Sequence, residues 1–334
     1  MTFSLVFVNL NYIVVNGNIS SKNRILEALR NASAPLTGDE LAESSGISRV
    51  AVWKAVQSLI ESGYKIESSR HGYSLTEDLK DSLFPWEFGK EEEYFSHFTE
   101  TDSTMIQARN LAQKKTETAE SLNENNKVPY IQIITADRQT KGKSQGGRKW
   151  TTTEGSLAFT LVYKAPVPVA KSSLVRVAAQ IALARTLKTV SDRQIYLRWP
   201  CDVCSEKGKL AGILDEVSAS GGICDWINIG IGVNLTKCPD IPGTDSVFEN
   251  EAPVSRKDIL ELFLKEFKKT VALIDSKDLL EQWNSLSVDF GKEISVEETD
   301  EKYIFKGIDS FGGALLDDGK TERVFYPGVI NIKK

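Results

Sequence analysis

The sequence predicts an α+β protein with three parts: an N-terminal winged helix-turn-helix, a central mixed α/β domain and a small C-terminal β-barrel. Three observations support this prediction. Apolar residues recur at helical spacing in three short segments that precede a β-like hairpin. Strand-like and helix-like patterns then alternate over residues 94–289. Short β-like runs separated by glycine-rich turns occupy residues 290–334.

The composition excludes some classes of protein. The net charge of −5 argues against a globally basic nucleic-acid binder, but a local DNA-contacting face stays compatible with it. No apolar run is long enough for a transmembrane helix, so we expect no membrane partner. Residues 1–20 are apolar but interrupted by asparagines, and they lack a basic start and a cleavage site. We therefore do not interpret them as a signal peptide, and we assign them no function.

The four cysteines are too few for a disulfide framework and favour a reducing cytoplasm. Cys201 and Cys204 form a C-x-x-C pair, which is compatible with zinc binding or redox chemistry. However, Cys224 and Cys238 are not spaced as the second close pair that a zinc site needs. The pair also lies in a strand and turn pattern rather than at a helix start. We therefore predict no metal site from the cysteines.

Residues 21–80 carry the helix-turn-helix pattern. Thr37 and Glu40 form a capping box that begins the second helix, Gly46 makes the turn, and Ser48 caps the third helix. Two helices joined by a short turn that contains glycine are typical of this motif. The apolar positions expected in its core are Ile25, Leu26, Leu29, Leu41, Ala42, Val52, Val56, Leu59 and Ile60.

A hairpin at the position of a wing follows, with strands predicted at 65–68 and 73–75. Lys54, Gln57 and Ser58 lie opposite the apolar stripe of the third helix, and Arg70 lies in the hairpin turn. These four residues are the candidate DNA contacts. The alternative is a small interaction domain with solvated polar residues. Charge does not decide between the two, because 21–80 holds eight basic and eight acidic residues.

The central part begins after an acidic, proline-containing stretch at 77–93 that we interpret as a linker. Alternating residues predict strands at 131–135 and 157–163, and further strands are predicted at 195–200, 209–217 and 224–233. A long helix is predicted over 171–190, and Ser255 caps another. The polar stretch 116–127 is expected to be a flexible excursion.

Three motifs in the central part indicate ligand binding. The loop Gln139–Trp150 is rich in glycine and cations and directly follows a buried strand, as suits an anion, although it lacks the glycine spacing of a P-loop. Arg198-Trp199-Pro200-Cys201-Asp202 is followed by Lys209 in a strand, where a lysine either faces a ligand or extends to solvent. Ile229–Leu235 places two glycines inside a strand, which suggests that something flat or bulky lies on the backbone. A solvated loop and tight strand packing are the structural alternatives.

In this order, these segments resemble the bifunctional biotin protein ligase and biotin operon repressor family over residues 21–333. The first motif, G-[RK]-G-R-x-G-x-x-W, corresponds to GKSQGGRKW at 142–150. The second, W-P-N-D followed by K-[LI]-x-G-[IV]-L, corresponds to RWPCD and KLAGIL. The third, I-G-x-G-x-N, is intact at 229–234, and Asp102-Ser103-Thr104 matches the family's D-S-T.

The resemblance implies a central domain of the biotin/lipoate-ligase type, a C-terminal barrel of the SH3-like type and a two-step reaction. Biotin's carboxylate attacks the α-phosphate of ATP in the presence of Mg²⁺, which gives biotinyl-5′-adenylate and pyrophosphate. A lysine of the biotin carboxyl carrier protein then displaces AMP. No protein nucleophile is needed, so the enzyme's task is positioning and charge stabilisation. The resemblance also implies binding to the biotin operon operator, as a homodimer when the adenylate is bound.

The resemblance implies roles for individual residues. Lys209 would hold the biotin carboxylate against the phosphate, and Asp202 would serve the transfer step or the metal. The biotin contacts would be Ser103, Thr104, Gln139, Gly142, Lys143, Gly212, Leu214, Gly230 and Gly232. The ATP and adenylate contacts would be Gln145, Arg148, Trp150, Asn234 and Lys333.

Four residues depart from the family pattern: Met105 replaces Asn, Ser144 Gly, Gln145 Arg and Cys201 Asn. Two alternatives therefore stay open. One is a DNA-binding sensor of biotinyl-adenylate with weak catalysis. The other is a lipoate ligase or octanoyl transferase, which shares the catalytic fold. The helix-turn-helix and the W-P-x-D to K-L-A-G-I-L spacing favour biotin over lipoate.

Overall fold

The computed structural model of the protein describes residues 19–79, 81–119, 130–297, 301–330 and 332. The chain forms two compact units, one ending at His97 and the other beginning at Phe98. Residues 1–18, the part of the predicted excursion from 120 onwards and Lys333 lie outside the described residues.

The first unit has the predicted helices and hairpin. They are α1 (Ser21–Asn31), α2 (Gly38–Ser45), α3 (Arg49–Glu61), β1 (Lys65–Ser69) and β2 (Gly72–Glu77). The capping box at Thr37 is present, Gly46 adopts the left-handed conformation (φ 64°), and the Ser48 hydroxyl accepts from the backbone of α3. One core prediction is wrong: Ile60 is 38% exposed, and Ala55 is buried instead. Successive residues of an α-helix are rotated by about 100°, so Ile60, one position after the buried Leu59, points away from the core.

The segment after the hairpin differs from the predicted linker. Residues Pro85–Tyr94 form 3₁₀-helical turns, and Trp86 packs against the core of the helices. Asn23 Nδ2 donates to the Trp86 carbonyl at 2.7 Å, and Arg30 pairs with Glu87 at 3.0 Å. The acidic composition suggested a solvated linker, but burial of the aromatic side chains outweighs that tendency.

The second unit is built on a seven-stranded sheet with the order β3-β4-β5-β9-β8-β7-β6. The strand pairs β4–β5, β5–β9, β9–β8, β8–β7 and β7–β6 are antiparallel. The three-residue strand β7 is absent from the sequence prediction. The strands are β3 (Phe95–Thr101), β4 (Tyr130–Gln139), β5 (Leu157–Lys164), β6 (Tyr196–Arg198), β7 (Asp202–Cys204), β8 (Lys209–Ser220) and β9 (Ile223–Val233).

Helices cover both faces of this sheet. On β5, Val162 packs with α4 residues, whereas Phe159 meets Phe263 of α6 edge to face. Because side chains alternate across a strand, these odd and even positions face opposite layers. This double burial explains why β5 is mostly apolar. The helices are α4 (Thr104–Ala119), α5 (Ser172–Val190), α6 (Arg256–Val271) and α7 (Lys277–Leu286), of which α4 and α7 were not predicted.

A small antiparallel sheet lies near the C-terminus, in the order β10-β11-β12-β13, consistent with the predicted SH3-like barrel. Trp199 Nε1 donates to the Gly312 carbonyl at 3.1 Å and so joins this sheet to the W-P-x-D segment. Among the described residues, no helix combines the length and apolarity that a membrane crossing requires. The strands are β10 (Glu293–Ser295), β11 (Lys302–Ile308), β12 (Ala314–Asp317) and β13 (Glu322–Phe325).

Candidate active site

A cavity of about 650 Å³ lies at one end of the seven-stranded sheet. It is lined by the first turn of α4, the loop between β4 and β5, the turn before β7, and the paired strands β8 and β9. A loop at 239–244 and residues from the C-terminal sheet region complete its wall. The three motifs found in the sequence therefore meet at one site, although they are separated by up to about 90 residues.

The loop Gly142–Trp150 is held closed by its own backbone. Trp150 N donates to the Gly142 carbonyl at 2.9 Å, and Ser144 N donates to the Arg148 carbonyl at 2.7 Å. Gly146 and Gly147 have φ of 70° and 75°, which L side chains rarely adopt, so the loop can turn here only with glycine. The loop carries Lys143 and Arg148 to the cavity wall, where two cations favour an anionic ligand.

The floor of the cavity is formed by three glycines. Gly212 of β8 pairs with Gly232 of β9, and Gly230 lies two residues earlier on the same face of β9. We call Gly212, Gly230 and Gly232 the glycine floor. A Cβ on Gly232 would lie 2.4 Å from the Trp150 indole, which therefore rests directly on the backbone. The strand glycines predicted a flat or bulky group against the backbone, and in the structure this group is the Trp150 indole at Gly232 and the Met105 side chain at Gly230.

Lys209 and Asp202 form an ion pair in the cavity wall. Lys209 Nζ lies 2.5 Å from Asp202 Oδ1, and the two side chains are 20% and 6% exposed. Asp202 opens β7 and Lys209 opens β8, so neighbouring strands bring the two groups together. Lys209 Nζ also lies 5.7 Å from the centroid of the Trp150 ring, within the range of a cation–π contact. This ammonium group is placed to meet negative charge entering the cavity.

A polar network closes the opposite end of the cavity. Gln139 Oε1 accepts from Thr104 N at 2.8 Å and from Thr104 Oγ1 at 3.2 Å. Thr160 Oγ1 donates to Thr104 Oγ1 at 2.8 Å, and Ser103 Oγ accepts from Met105 N. Ser103, Thr104 and Thr160 are buried and Gln139 is partly buried, so these bonded groups form a rigid polar end for a ligand in the cavity.

Cys201 connects the W-P-x-D segment to the loop. Its Sγ donates to Gln145 Oε1 at 3.3 Å. Burial raises the pKa of the Cys201 thiol to about 12, and the nearby Asp202 carboxylate raises it further than Lys209 lowers it. The thiol is therefore a neutral donor that holds Gln145.

Almost all of the predicted ligand contacts line this cavity. Gly142 is the exception among the described ones: it is buried behind the wall, where a Cβ would lie 2.7 Å from the Trp150 carbonyl. Lys333 lies outside the described residues. Asn234 lines the cavity and donates to the Asp245 carbonyl at 3.2 Å, which helps hold the 239–244 loop in place. The predicted residues found in the wall are Ser103, Thr104, Gln139, Lys143, Gln145, Arg148, Trp150, Asp202, Lys209, Gly212, Leu214, Gly230, Gly232 and Asn234.

The sequence did not point to several residues of the wall. The Pro239–Thr244 loop lacks a glycine–cation pattern, and Ile330 and Ile332 are distant from the motifs in the chain. Glu206 and Glu297 also line the cavity. Contacts of this kind depend on tertiary packing, so periodicity within a segment carries no signal for them.

A metal site made by the protein alone is not present in the described residues. No three His, Cys, Asp or Glu side chains are grouped there as a bound metal requires. Asp202, the most buried carboxylate in the wall, is already paired with Lys209. Mg²⁺ commonly takes only one or two carboxylates and binds largely through substrate phosphates, so this donor set fits a metal that arrives with a nucleotide.

The first unit offers a candidate nucleic-acid surface. Lys54 and Arg70 are exposed as predicted, whereas Gln57 and Ser58 are only partly exposed. Val50 and Trp53, which the sequence analysis did not select, are 64% and 54% exposed on α3. The exposed face of α3 is therefore more apolar than the sequence suggested.

Comparisons with known proteins agree with this fold. Residues 21–74 match the model of an HTH domain, and residues 111–234 match that of the biotin/lipoate A/B protein ligase family. The fold and the cavity thus define a protein of the biotin and lipoate ligase class.

Individual relatives narrow this class. The bifunctional ligase/repressor BirA of Bacillus subtilis is 25% identical over 315 residues, which cover 89% of this chain and 94% of that protein. The biotin--[acetyl-CoA-carboxylase] ligase of Paracoccus denitrificans is 30% identical over 209 residues, which cover 58% of this chain and 87% of that protein. The chain belongs to the biotin protein ligase family, as its motifs predicted.

A solved structure supports the fold. The biotin protein ligase from Aquifex aeolicus in complex with biotin and ATP matches with a TM-score of 0.55 and 23% identity. The match covers 72% of this chain and 99% of that one. At this identity the likeness concerns the architecture.

Proposed function

We propose that the protein is a biotin–[acetyl-CoA-carboxylase] ligase that makes biotinyl-5′-adenylate from biotin and ATP and transfers the biotinyl group to a carrier lysine. The observation that carries this proposal is the convergence of the Lys209–Asp202 pair, the cationic loop and the glycine floor on one cavity. Biotin carries a carboxylate at one end and a bicyclic ring with a polar ureido group at the other, so it needs a cation for the first and hydrogen-bonding groups for the second.

In the first step the biotin carboxylate attacks the α-phosphorus of ATP, a P–O bond breaks, and pyrophosphate leaves. Two negatively charged groups must approach, and the Lys209 ammonium offsets their repulsion. Lys143 and Arg148 add positive charge from the loop. Mg²⁺, bound mainly by the ATP phosphates, would supply further charge neutralisation. The protein's own contribution is orientation and exclusion of water.

In the second step the amine of a carrier lysine attacks the acyl carbon of the mixed anhydride. An amide bond forms, the acyl C–O bond breaks, and AMP leaves. The amine must lose a proton, and Asp202, whose carboxylate faces the cavity, is the candidate acceptor. The carrier is the biotin carboxyl carrier protein in this proposal, and the need for ATP supports a cytoplasmic location.

We propose a second role as a biotin-responsive repressor, because the chain couples a helix-turn-helix unit to a ligand-binding unit. Its partner would be operator DNA of the biotin operon, bound by a homodimer once the adenylate has formed. The exposed face of α3 and the hairpin turn with Arg70 would contact DNA.

Biotin-dependent exchange of labelled pyrophosphate into ATP tests the first step without any carrier. We expect exchange with biotin and at least about tenfold less exchange with lipoate or octanoate at equal concentration. Exchange with lipoate and none with biotin would instead assign the chain to the lipoate branch of the class. Absence of exchange with all three acids would contradict the ligase proposal.

A further inference from the structure

Met105 occupies part of the glycine floor. A Cβ on Gly230 would lie 2.7 Å from Met105 Sδ and 2.8 Å from its Cγ. The thioether therefore rests directly on the backbone of β9, where a side chain on residue 230 would otherwise stand. Met105 is only partly buried and lines the cavity. Its end of the floor is thus covered by a side chain of the protein.

The surroundings of Met105 are rigid. On one side Thr104 and Thr160 are joined by a 2.8 Å hydrogen bond, and Thr104 is also bonded to Gln139. Underneath is the paired backbone of β5 and β9, in which Thr160 lies opposite Gly230. Neither the network nor the sheet can yield without losing hydrogen bonds. Methionine has three rotatable bonds and a soft thioether, so Met105 is the group that can move.

The position of Met105 has a consequence for the shape of a ligand. A bicyclic head group is broader than a straight chain, and where it lies over Gly230 it competes with the thioether for the same surface. A straight acyl chain is thinner and can pass beside the thioether. The other part of the floor is covered by Trp150, which meets Gly212 and Gly232. Trp150 therefore does not replace Met105 as the group above Gly230.

We infer that Met105 is a specificity-determining residue that competes with the ring of the acid substrate for the surface of Gly230. The inference rests on the proposed function, since it concerns the acid site of that reaction. It predicts that the native side chain reduces the preference for a ring-bearing acid over a straight-chain acid of similar length. The chain should also discriminate less than a variant with a small residue at this position.

The test is isothermal titration of the full chain with biotin and with octanoate, in native protein and three variants. Met105→Ala should tighten biotin binding about tenfold and change octanoate binding less than about twofold. Met105→Leu keeps the bulk but is branched and less flexible, so it should weaken biotin binding. Ile106→Ala, on the same helix but not in the cavity wall, should match the native protein.

Pyrophosphate exchange supplies a second readout. Met105→Ala should lower the KM for biotin by a similar factor, with little change in kcat or in the KM for ATP, because the side chain competes only with the acid. A merely structural role would instead change kcat and the KM for ATP together.

The outcomes separate this inference from the proposed function. If native protein binds biotin and Met105→Ala binds it no more tightly, the inference is overturned and the proposed function stands. If only Met105→Ala binds biotin, the inference is supported, and the proposed function fails for the native chain. If neither native protein nor any variant binds biotin or shows exchange, the proposed function fails, and the inference fails with it.

Discussion

Lys209 and Asp202 are bonded at 2.5 Å across neighbouring strands, and the carboxylate is the more buried partner, with 6% of its side chain exposed. The pair thus joins the cation assigned to the first step of the reaction to the carboxylate assigned to the second. Because the ion pair is largely buried, we expect the two groups to contribute to the stability of the protein as well as to the reaction.

Lys209→Ala should reduce adenylate formation by about 100-fold or more, because the charge that offsets the meeting anions is lost. It should also destabilise the protein by about 1–3 kcal/mol, since the Asp202 carboxylate would stay buried without the neutralising Lys209 ammonium. Pyrophosphate exchange and denaturant unfolding measure the two effects. The double variant Lys209→Ala, Asp202→Ala should recover stability but not exchange. Wild-type exchange in the single variant would contradict the role of Lys209.

Asp202→Asn should affect the second step more than the first. The amide keeps the shape of the carboxylate but cannot take the proton of the attacking lysine. Single-turnover transfer from preformed adenylate to a carrier domain measures this step alone. We expect transfer to slow by about 100-fold while adenylate formation falls less. Equal losses in the two steps would show that Asp202 acts only by holding Lys209.

Gln145 should make the adenylate leave faster than it would from an arginine-bearing relative. The neutral amide is bonded to Cys201 and cannot provide a guanidinium fork to the phosphate. A charge-assisted hydrogen bond contributes about 1.5–3 kcal/mol, or about 10- to 100-fold in retention. Gln145→Arg should slow adenylate release by that order in a stopped-flow assay, while biotin affinity changes little.

Gln145→Lys is the matched control for that variant, because it adds charge without the fork. It should slow release less than Gln145→Arg does. An unchanged release rate in Gln145→Arg, or tight adenylate retention by the native protein, would contradict the prediction.

Cys201 should resist alkylation. With its pKa raised to about 12 by burial, about one part in ten thousand of the thiol is ionised at pH 8. Peptide mapping after timed iodoacetamide treatment should show Cys238, which is partly exposed, labelled long before Cys201. In denaturant the four cysteines should react at similar rates. Labelling of Cys201 in the folded protein as fast as Cys238 would contradict a buried thiol that donates to Gln145.

The exposed face of α3 should contact DNA. Lys54→Ala should weaken operator binding and reduce its salt dependence, because one phosphate contact is lost. Trp53→Ala should weaken binding through lost apolar contact with base edges. Gel-shift titrations with biotinyl-adenylate present measure both effects. Lys90→Ala, which removes an exposed charge elsewhere in the unit, is the control. If Lys54→Ala and Trp53→Ala bind like this control, α3 is not the contact surface.

Much of the fold could be predicted because its signals are local. Thr37 and Ser255 were predicted to cap helices, Thr37 through a capping box with Glu40, and the structure confirms both caps, which involve residues only three positions apart. The glycines at 230 and 232 indicated a surface for a flat or bulky group for a similarly local reason. By contrast, Gly142 was assigned to the ligand, whereas its structural constraint is the close approach of the Trp150 carbonyl.

The rest of the site depends on contacts between distant segments. Neither Ile332 nor the 239–244 loop carries a pattern that places it in the cavity wall. The position of Met105 on Gly230 depends on how α4 packs across β5 and β9. The aromatic residues of the predicted linker likewise pack on a core formed earlier in the chain. Such packing is decided by tertiary structure, which the sequence pattern of a single segment does not encode.

The most direct test of the central claim is the intact mass of a biotin carrier domain after incubation with the full chain, ATP, Mg²⁺ and biotin. The account predicts that the carrier gains the mass of one biotinyl group on one lysine, that omission of ATP abolishes the gain, and that lipoate does not replace biotin. A carrier domain that stays unmodified after incubation with the native protein, or that gains a lipoyl group instead, would contradict this prediction.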